Sequence, residues 1–178
     1  MRSLRGIHPR ALLLVVLIAG LLAAGCGDDS SADPAATSVN GLISKGLAAQ
    51  GKGDNEGATA AYQAVLVKDP QNKYALYNLG TIDQLAGREA EAEPRYRAAL
   101  AADPNFEPAL FNLAIITTKT APQEAAVLYG RVIALDPERA GAHYNLGVVL
   151  RSLGKTKEAD QSFAKATALD PTLTPPPA

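Results

Sequence analysis

The tetrapeptide Tyr77-Asn78-Leu79-Gly80 returns as Phe111-Asn112-Leu113-Ala114 and again as Tyr144-Asn145-Leu146-Gly147, at offsets of 34 and 33 residues. Three further markers keep the same period. They are the dipeptides Asp69-Pro70, Asp103-Pro104, Asp136-Pro137 and Asp170-Pro171; the alanines Ala58, Ala92, Ala125 and Ala159; and the aromatics Tyr62, Tyr96, Tyr129 and Phe163. A period near 34 with helical patterning specifies stacked helix pairs, because one pair cannot bury its apolar face alone. It excludes a domain closed around one core.

Each period reads as two amphipathic helices. In the second, Leu76, Leu79, Gly80 and Asp83 share one helical stripe, and Ala92, Tyr96, Ala99 and Leu100 share another. Gly87 is placed to end the first helix, where a left-handed backbone is needed. Asp103-Pro104 ends the second, since a residue before proline is pushed out of the helical region.

These motifs resemble the tetratricopeptide repeat over about 133 residues. The resemblance implies an all-α, right-handed α-solenoid of about four helix–turn–helix repeats, at 39–72, 73–106, 107–139 and 140–173. It also implies that a small residue on each first helix (Gly46, Gly80, Ala114, Gly147) faces a small one on the second (Ala58, Ala92, Ala125, Ala159). The aromatic that follows, Tyr62, Tyr96, Tyr129 or Phe163, then fills the groove to the next unit.

The departures from the pattern carry their own expectations. The third unit is one residue short, and Thr120 replaces the inter-helix glycine seen as Gly53, Gly87 and Gly154. Pro122 belongs in the first turn of its helix, where its missing N–H costs little. Pro94 falls inside a helix and removes a backbone bond, which predicts a kink or a late helix start. After the last helix, near 156–169, the Pro-rich tail 174–178 and the preceding Thr172-Leu173 cannot build a further helix. The apolar side of that last helix therefore needs a cover. Its own charged residues, a partner, or a second copy (a homo-oligomer) could supply it.

Residues 1–25 begin with Arg2, Arg5 and Arg10 and continue as an uncharged run from Ala11 to Ala24, 14 residues long. That run is shorter than the roughly 18–20 residues that span a bilayer, and small residues follow it, which describes a secretory signal. The sequence Leu21-Leu22-Ala23-Ala24-Gly25-Cys26 resembles a bacterial lipobox, with Ala23 where a leucine is usual. The resemblance implies cleavage before Cys26, lipid attachment to its sulfur, and an extracytoplasmic chain anchored to the membrane. Residues 26–38 are small, polar and acidic and read as a flexible tether, with an r.m.s. reach of roughly 20 Å.

Chemistry is hard to place on this chain. Cys26 is the one cysteine, so no intrachain disulfide forms. The leader holds three of the 17 basic groups and none of the 18 acidic ones, leaving 14 against 18 and a net charge of about −4 for residues 26–178. A mildly acidic body argues against nucleic acid, which needs a basic face. No phosphate loop, metal cluster or nucleophile–base constellation is legible, so no cofactor, metal or catalytic residue is expected. His143 occupies a first-helix core position and reads as a packed histidine.

The resemblance instead points to the inside of the superhelix, lined by first helices. Tyr77, Asn78, Thr81, Phe111, Asn112, Ile115, Tyr144, Asn145 and Arg151 are the expected peptide-groove residues. Val148, Gln84 and Thr118 belong to the same rows. An amide both donates and accepts, so a row of asparagines can clasp an extended backbone without reading its sequence. Aromatics add rigid, partly polar contact area. The expectation is a membrane-anchored interaction scaffold in a cell-envelope complex, without enzymatic activity, that takes an extended protein segment. The alternatives are a self-assembling structural subunit, or a glycan-binding accessory to a cell-wall enzyme.

Overall fold

A computed structural model describes residues 37–176. The signal segment 1–25, Cys26, most of the tether 26–38, and Pro177 and Ala178 lie outside the described residues. Among the described residues there are eight α-helices and no strands. They are α1 (Val39–Gly51), α2 (Asn55–Lys68), α3 (Lys73–Leu85), α4 (Glu89–Ala102), α5 (Glu107–Thr117), α6 (Pro122–Leu135), α7 (Ala140–Ser152) and α8 (Thr156–Leu169). Each helix packs mainly on its neighbours in sequence, and α3 also reaches α5, so first helices stack on first helices.

Turn chemistry explains the periodic markers. After α3, Gly87 has φ +74°, a left-handed conformation that a side chain would strain, and its N–H closes the turn onto Gln84 O at 3.0 Å. Every even helix ends at the aspartate of an Asp-Pro pair, in extended conformation with φ between −143° and −134°. The carboxylate then accepts from the backbone N–H two residues on. Asp103 takes Asn105 at 3.0 Å, Asp136 takes Glu138 at 3.1 Å, and Asp170 takes Thr172 at 2.9 Å. Proline stops the helix and aspartate closes the turn that follows.

The third unit solves its missing glycine differently. α5 is 11 residues long, and its C-cap Thr118 stays helical at φ −53°. The turn closes through Ala121 N–H to Thr117 O at 2.8 Å, and Pro122 is the first residue of α6. Pro94 gives a correction to the expected late start. α4 begins at Glu89 and runs unbroken to Ala102, the same 14 residues as α2, α6 and α8. The packing of Ala92, Tyr96 and Ala99, all fully buried, holds the register against the local preference of one proline.

The core is a file of aromatics. Tyr62, Tyr96, Tyr129 and Phe163 are buried, each flanked by a buried alanine four residues earlier. Each ring of the glycine-bearing repeats closes on the first helix of its own repeat, and the Tyr96 hydroxyl also meets Asn112 of the next unit. A Cβ placed on Gly46 would meet the Tyr62 ring at 2.5 Å, on Gly80 the Tyr96 ring at 2.7 Å, and on Gly147 the Phe163 ring at 2.7 Å. Glycine is required there by the aromatic, so the small residue of the first helix faces a ring. His143 is also placed otherwise than expected. It is half-buried, and its Nε2 lies 3.0 Å from Pro137 O, so it caps a turn and stays out of the core.

Candidate functional site

The first-helix positions converge along the stack, but most of their polar groups already have partners. Asn78 donates to the Tyr74 carbonyl at 2.8 Å, within its own helix. Asn112 donates to the Tyr96 hydroxyl at 3.2 Å, and Asn145 lines a cleft together with Tyr129. The Asn112 contact crosses from one repeat to the preceding one. It latches those two units together in a part of the stack where a neutral hydrogen bond contributes about 1 kcal/mol. The amide oxygen and one remaining N–H are what Asn112 offers to anything else.

The aromatics of the first helices are likewise half-engaged. Tyr77 lies 5.9 Å from Tyr96 and edge-on to Phe106 at 5.5 Å. Phe111 stands edge-on to Tyr129 at 5.9 Å and carries the Arg139 guanidinium over its face at 4.0 Å. Tyr144 lies 5.5 Å from Phe163. Each is half-buried, with one side on the core and part of the ring left at the surface. Thr81 donates back to the Tyr77 carbonyl at 3.1 Å.

One further row was only partly legible in the sequence. Gln50, Gln84, Thr118 and Arg151 recur at the repeat period, and each meets the buried aromatic of its own repeat. Tyr62 donates to Gln50 Oε1 at 2.5 Å, and Tyr96 donates to Gln84 Oε1 at 2.6 Å. Thr118 lies beside Tyr129 in one cleft, with its own hydroxyl donated to Ala114 O at 2.7 Å. In the fourth repeat the aromatic is Phe163, which has no hydroxyl, and Arg151 stacks its guanidinium 4.6 Å from the ring centre instead. Residue type follows the aromatic at three of the four: an amide for Tyr62 and Tyr96, a cation for the bare ring of Phe163. Burial pushes the Tyr62 phenol up to about 12, and burial also raises Tyr96 and Tyr129, against the opposing pull of their hydrogen bonds.

Between α5 and α7 these rows leave a cleft of about 280 Å³, walled by Ile115, Val148, Thr118, Asn145, Tyr129 and Lys119, with Glu89 at its rim. Ile115 is exposed, and Val148, one repeat on, is half-buried. The wall mixes apolar Ile115, Ile116 and Val148 with a few polar groups, the composition of a site that holds a segment by shape and a small number of hydrogen bonds. Among the described residues no group of His, Cys, Asp or Glu could hold a metal ion. None of the described helices is long and apolar enough to cross a membrane.

The family model of the cilia and flagella-associated protein 70 middle TPR-like domain matches residues 45–160, most of the helical stack. This chain is a tetratricopeptide-repeat protein. The crystal structure of MamA superposes with a TM-score of 0.65 at 30% identity, over 71% of this chain and 74% of that one. PilF of Pseudomonas aeruginosa gives 0.65 at 26% identity, over 75% of this tetratricopeptide-repeat chain and 61% of PilF. YrrB, described as a TPR protein with an unusual peptide-binding site, shares the fold with a TM-score of 0.65 at 22% identity, over 76% and 71% of the two chains. No curated protein matches the sequence. A tetratricopeptide fold is an all-helical protein-interaction module.

Proposed function

We propose that this protein is a membrane-anchored extracytoplasmic scaffold, tethered through a lipid on Cys26, that holds an extended segment of a partner protein against its first helices. The observation that carries the reading is the cleft between α5 and α7, lined by exposed Ile115 together with Asn145, Thr118 and Lys119. An exposed isoleucine in a concave, mostly neutral wall is suited to a protein side chain. The partly exposed rings of Tyr77, Phe111 and Tyr144 extend the same surface along the stack.

The asparagines are a poor place to probe this, because Asn112 holds Tyr96 of the preceding repeat and Asn78 is bonded within its own helix. Ile115 is the better choice, since an exposed residue can change without opening the core. The test is a crosslinked pull-down from membranes with the wild type and Ile115→Glu, helicity being checked by circular dichroism. Loss of a specific partner by the folded variant supports the groove reading. Retention of the same partner by both overturns it. The anchor is tested separately: Cys26→Ser moves the protein out of the membrane fraction and abolishes fatty-acid labelling, whereas an unchanged membrane fraction argues against lipidation.

A further inference from the structure

The residues after α8 do not leave the stack. Leu173 to Pro176 run along it without helical structure. Thr167 Oγ1, on α8, donates to the Leu173 carbonyl at 2.8 Å, and Arg151 Nη1, at the end of α7, donates to the Pro176 carbonyl at 2.7 Å. We propose that this face of α7 and α8 is a second binding site, selective for extended proline-bearing segments, and that residues 173–176 occupy it in cis until a partner's segment replaces them.

The geometry favours that ligand class. The carbonyls of Leu173 and Pro176 both meet donors of α7 and α8, so both fall on the helix side of the segment. The site meets that side with donors. Proline has no N–H, and its carbonyl is the backbone group left to recognise. Arg151 is held in place for this task, with its guanidinium 4.6 Å from the Phe163 ring centre and its Nη2 3.3 Å from Asp160 Oδ1. Pro175 forms one wall of a hollow of about 590 Å³, the others being Asp160, Phe163, Ala164, Thr167 and Ala168. The small side chains at 164 and 168 let an extended backbone come close to the helix.

The cis segment is held lightly. Thr174 and Pro175 are exposed, and the two hydrogen bonds above go to its backbone. A short tether sets an effective concentration of roughly millimolar order, so the segment fills the site by proximity more than by affinity. A longer proline-bearing segment that also enters the hollow would displace it. The proposal stands apart from the α5–α7 cleft and does not need it.

The test is fluorescence anisotropy on the full chain, with a labelled synthetic peptide of the sequence of residues 171–177 as probe. Substituting Pro175→Gly with Pro176→Gly loosens the cis segment, and the probe should then bind about tenfold more tightly than to the wild type. Adding Arg151→Leu or Thr167→Val should each lose about tenfold, as expected for one hydrogen bond at each carbonyl. The near-isosteric Thr167→Val guards against a folding defect in the arginine variant. A probe with alanine at its prolines should bind more weakly, and Ile115→Glu should leave binding unchanged. The proposal fails if the loosened chain does not bind the probe, if the alanine probe binds equally, or if Arg151→Leu and Thr167→Val change nothing. Concentration-dependent dimers that Thr167→Val abolishes would assign the site to a second copy and overturn the partner-segment assignment.

Discussion

Gly80 and Gly130 are both glycines within helices, and they should respond to a methyl group in opposite ways. A Cβ at Gly80 would lie 2.7 Å from Cε1 of Tyr96, which is fully buried and has no free side to move into. Gly80→Ala is expected to destabilise by about 1–3 kcal/mol, as overpacking does. At Gly130, in the middle of α6, a Cβ meets nothing within 4 Å. Gly130→Ala should therefore stabilise by about 0.5–1 kcal/mol through helix propensity alone. Urea titration of both variants decides it, and equal effects would refute the close-packing account. The same rings set the response to alkali. With Tyr62 pushed up to about 12 and Tyr96 and Tyr129 also raised, the folded chain keeps protons that the unfolded chain loses above about pH 10. Stability is then fully present below about pH 10 and falls as pH rises towards 12. Thermal melts from pH 8 to 12 should show that fall, and Tyr62→Phe should make it shallower. The sequence shows the 16-residue offset from Gly46 to Tyr62, from Gly80 to Tyr96 and from Gly147 to Phe163. It does not show that the ring covers its own glycine. Periodicity assigns faces, whereas which neighbour sits over a Cα is decided by side-chain rotamers within a few tenths of an ångström.

Helix by helix, the Asp-Pro boundaries and the inter-helix glycines were legible because a single residue's backbone chemistry decides them. α4 was less so, because there two levels of structure conflict. Pro94 lies in its interior and is exposed, so it removes a backbone donor without adding core contact. Pro94→Ala should restore that bond and raise stability by about 1–3 kcal/mol, up to the full penalty of an interior proline. A midpoint in denaturant that does not rise would mean that the carbonyl of Ala90 is already satisfied elsewhere. α4 can tolerate the proline because it is pinned at several points. Asp83, near the end of α3 and almost fully buried, lies 2.8 Å from Arg88 and 2.6 Å from Arg95, and Arg95 also donates to Leu79 O at 3.2 Å. Asp83 is visible in the sequence as a polar residue on an apolar stripe. Its two arginines were not anticipated, since the corresponding positions of the other repeats are Ala49, Thr117 and Leu150 and no period announces them.

Across the helical stack the apolar core divides in two. Tyr62, Val65, Ala75, Leu79 and Ile82 form one cluster, and Tyr96, Leu110, Leu113, Tyr129, Val132 and Val149 belong to the other. Leu66 packs against both. α1 contributes one buried residue, Gly46, and is the thinnest layer of the stack. Opening in a repeat array proceeds unit by unit, so the amides of α1 should exchange with solvent first and those of α5 and α6 last. Hydrogen-exchange mass spectrometry measures this, and protection of α1 equal to that of α5 would contradict it. The repeat count and helix order were open to the sequence because four markers agree on one period. The candidate groove was open only in outline: the rows were visible, but a hydrogen bond between Asn112 and Tyr96 depends on where two backbones end up relative to each other.

That bond has a consequence for anyone who would lengthen or shorten the array. The seam between 73–106 and 107–139 is keyed by one phenol and one amide, whereas at the seam before it Asn78 turns to the Tyr74 carbonyl and Tyr62 is left to Gln50 of its own unit. A unit grafted directly after Phe163 would bring an asparagine facing a ring with no hydroxyl to meet it. The seams of this protein are thus not interchangeable, and a module moved from one to another takes its partner's requirement with it.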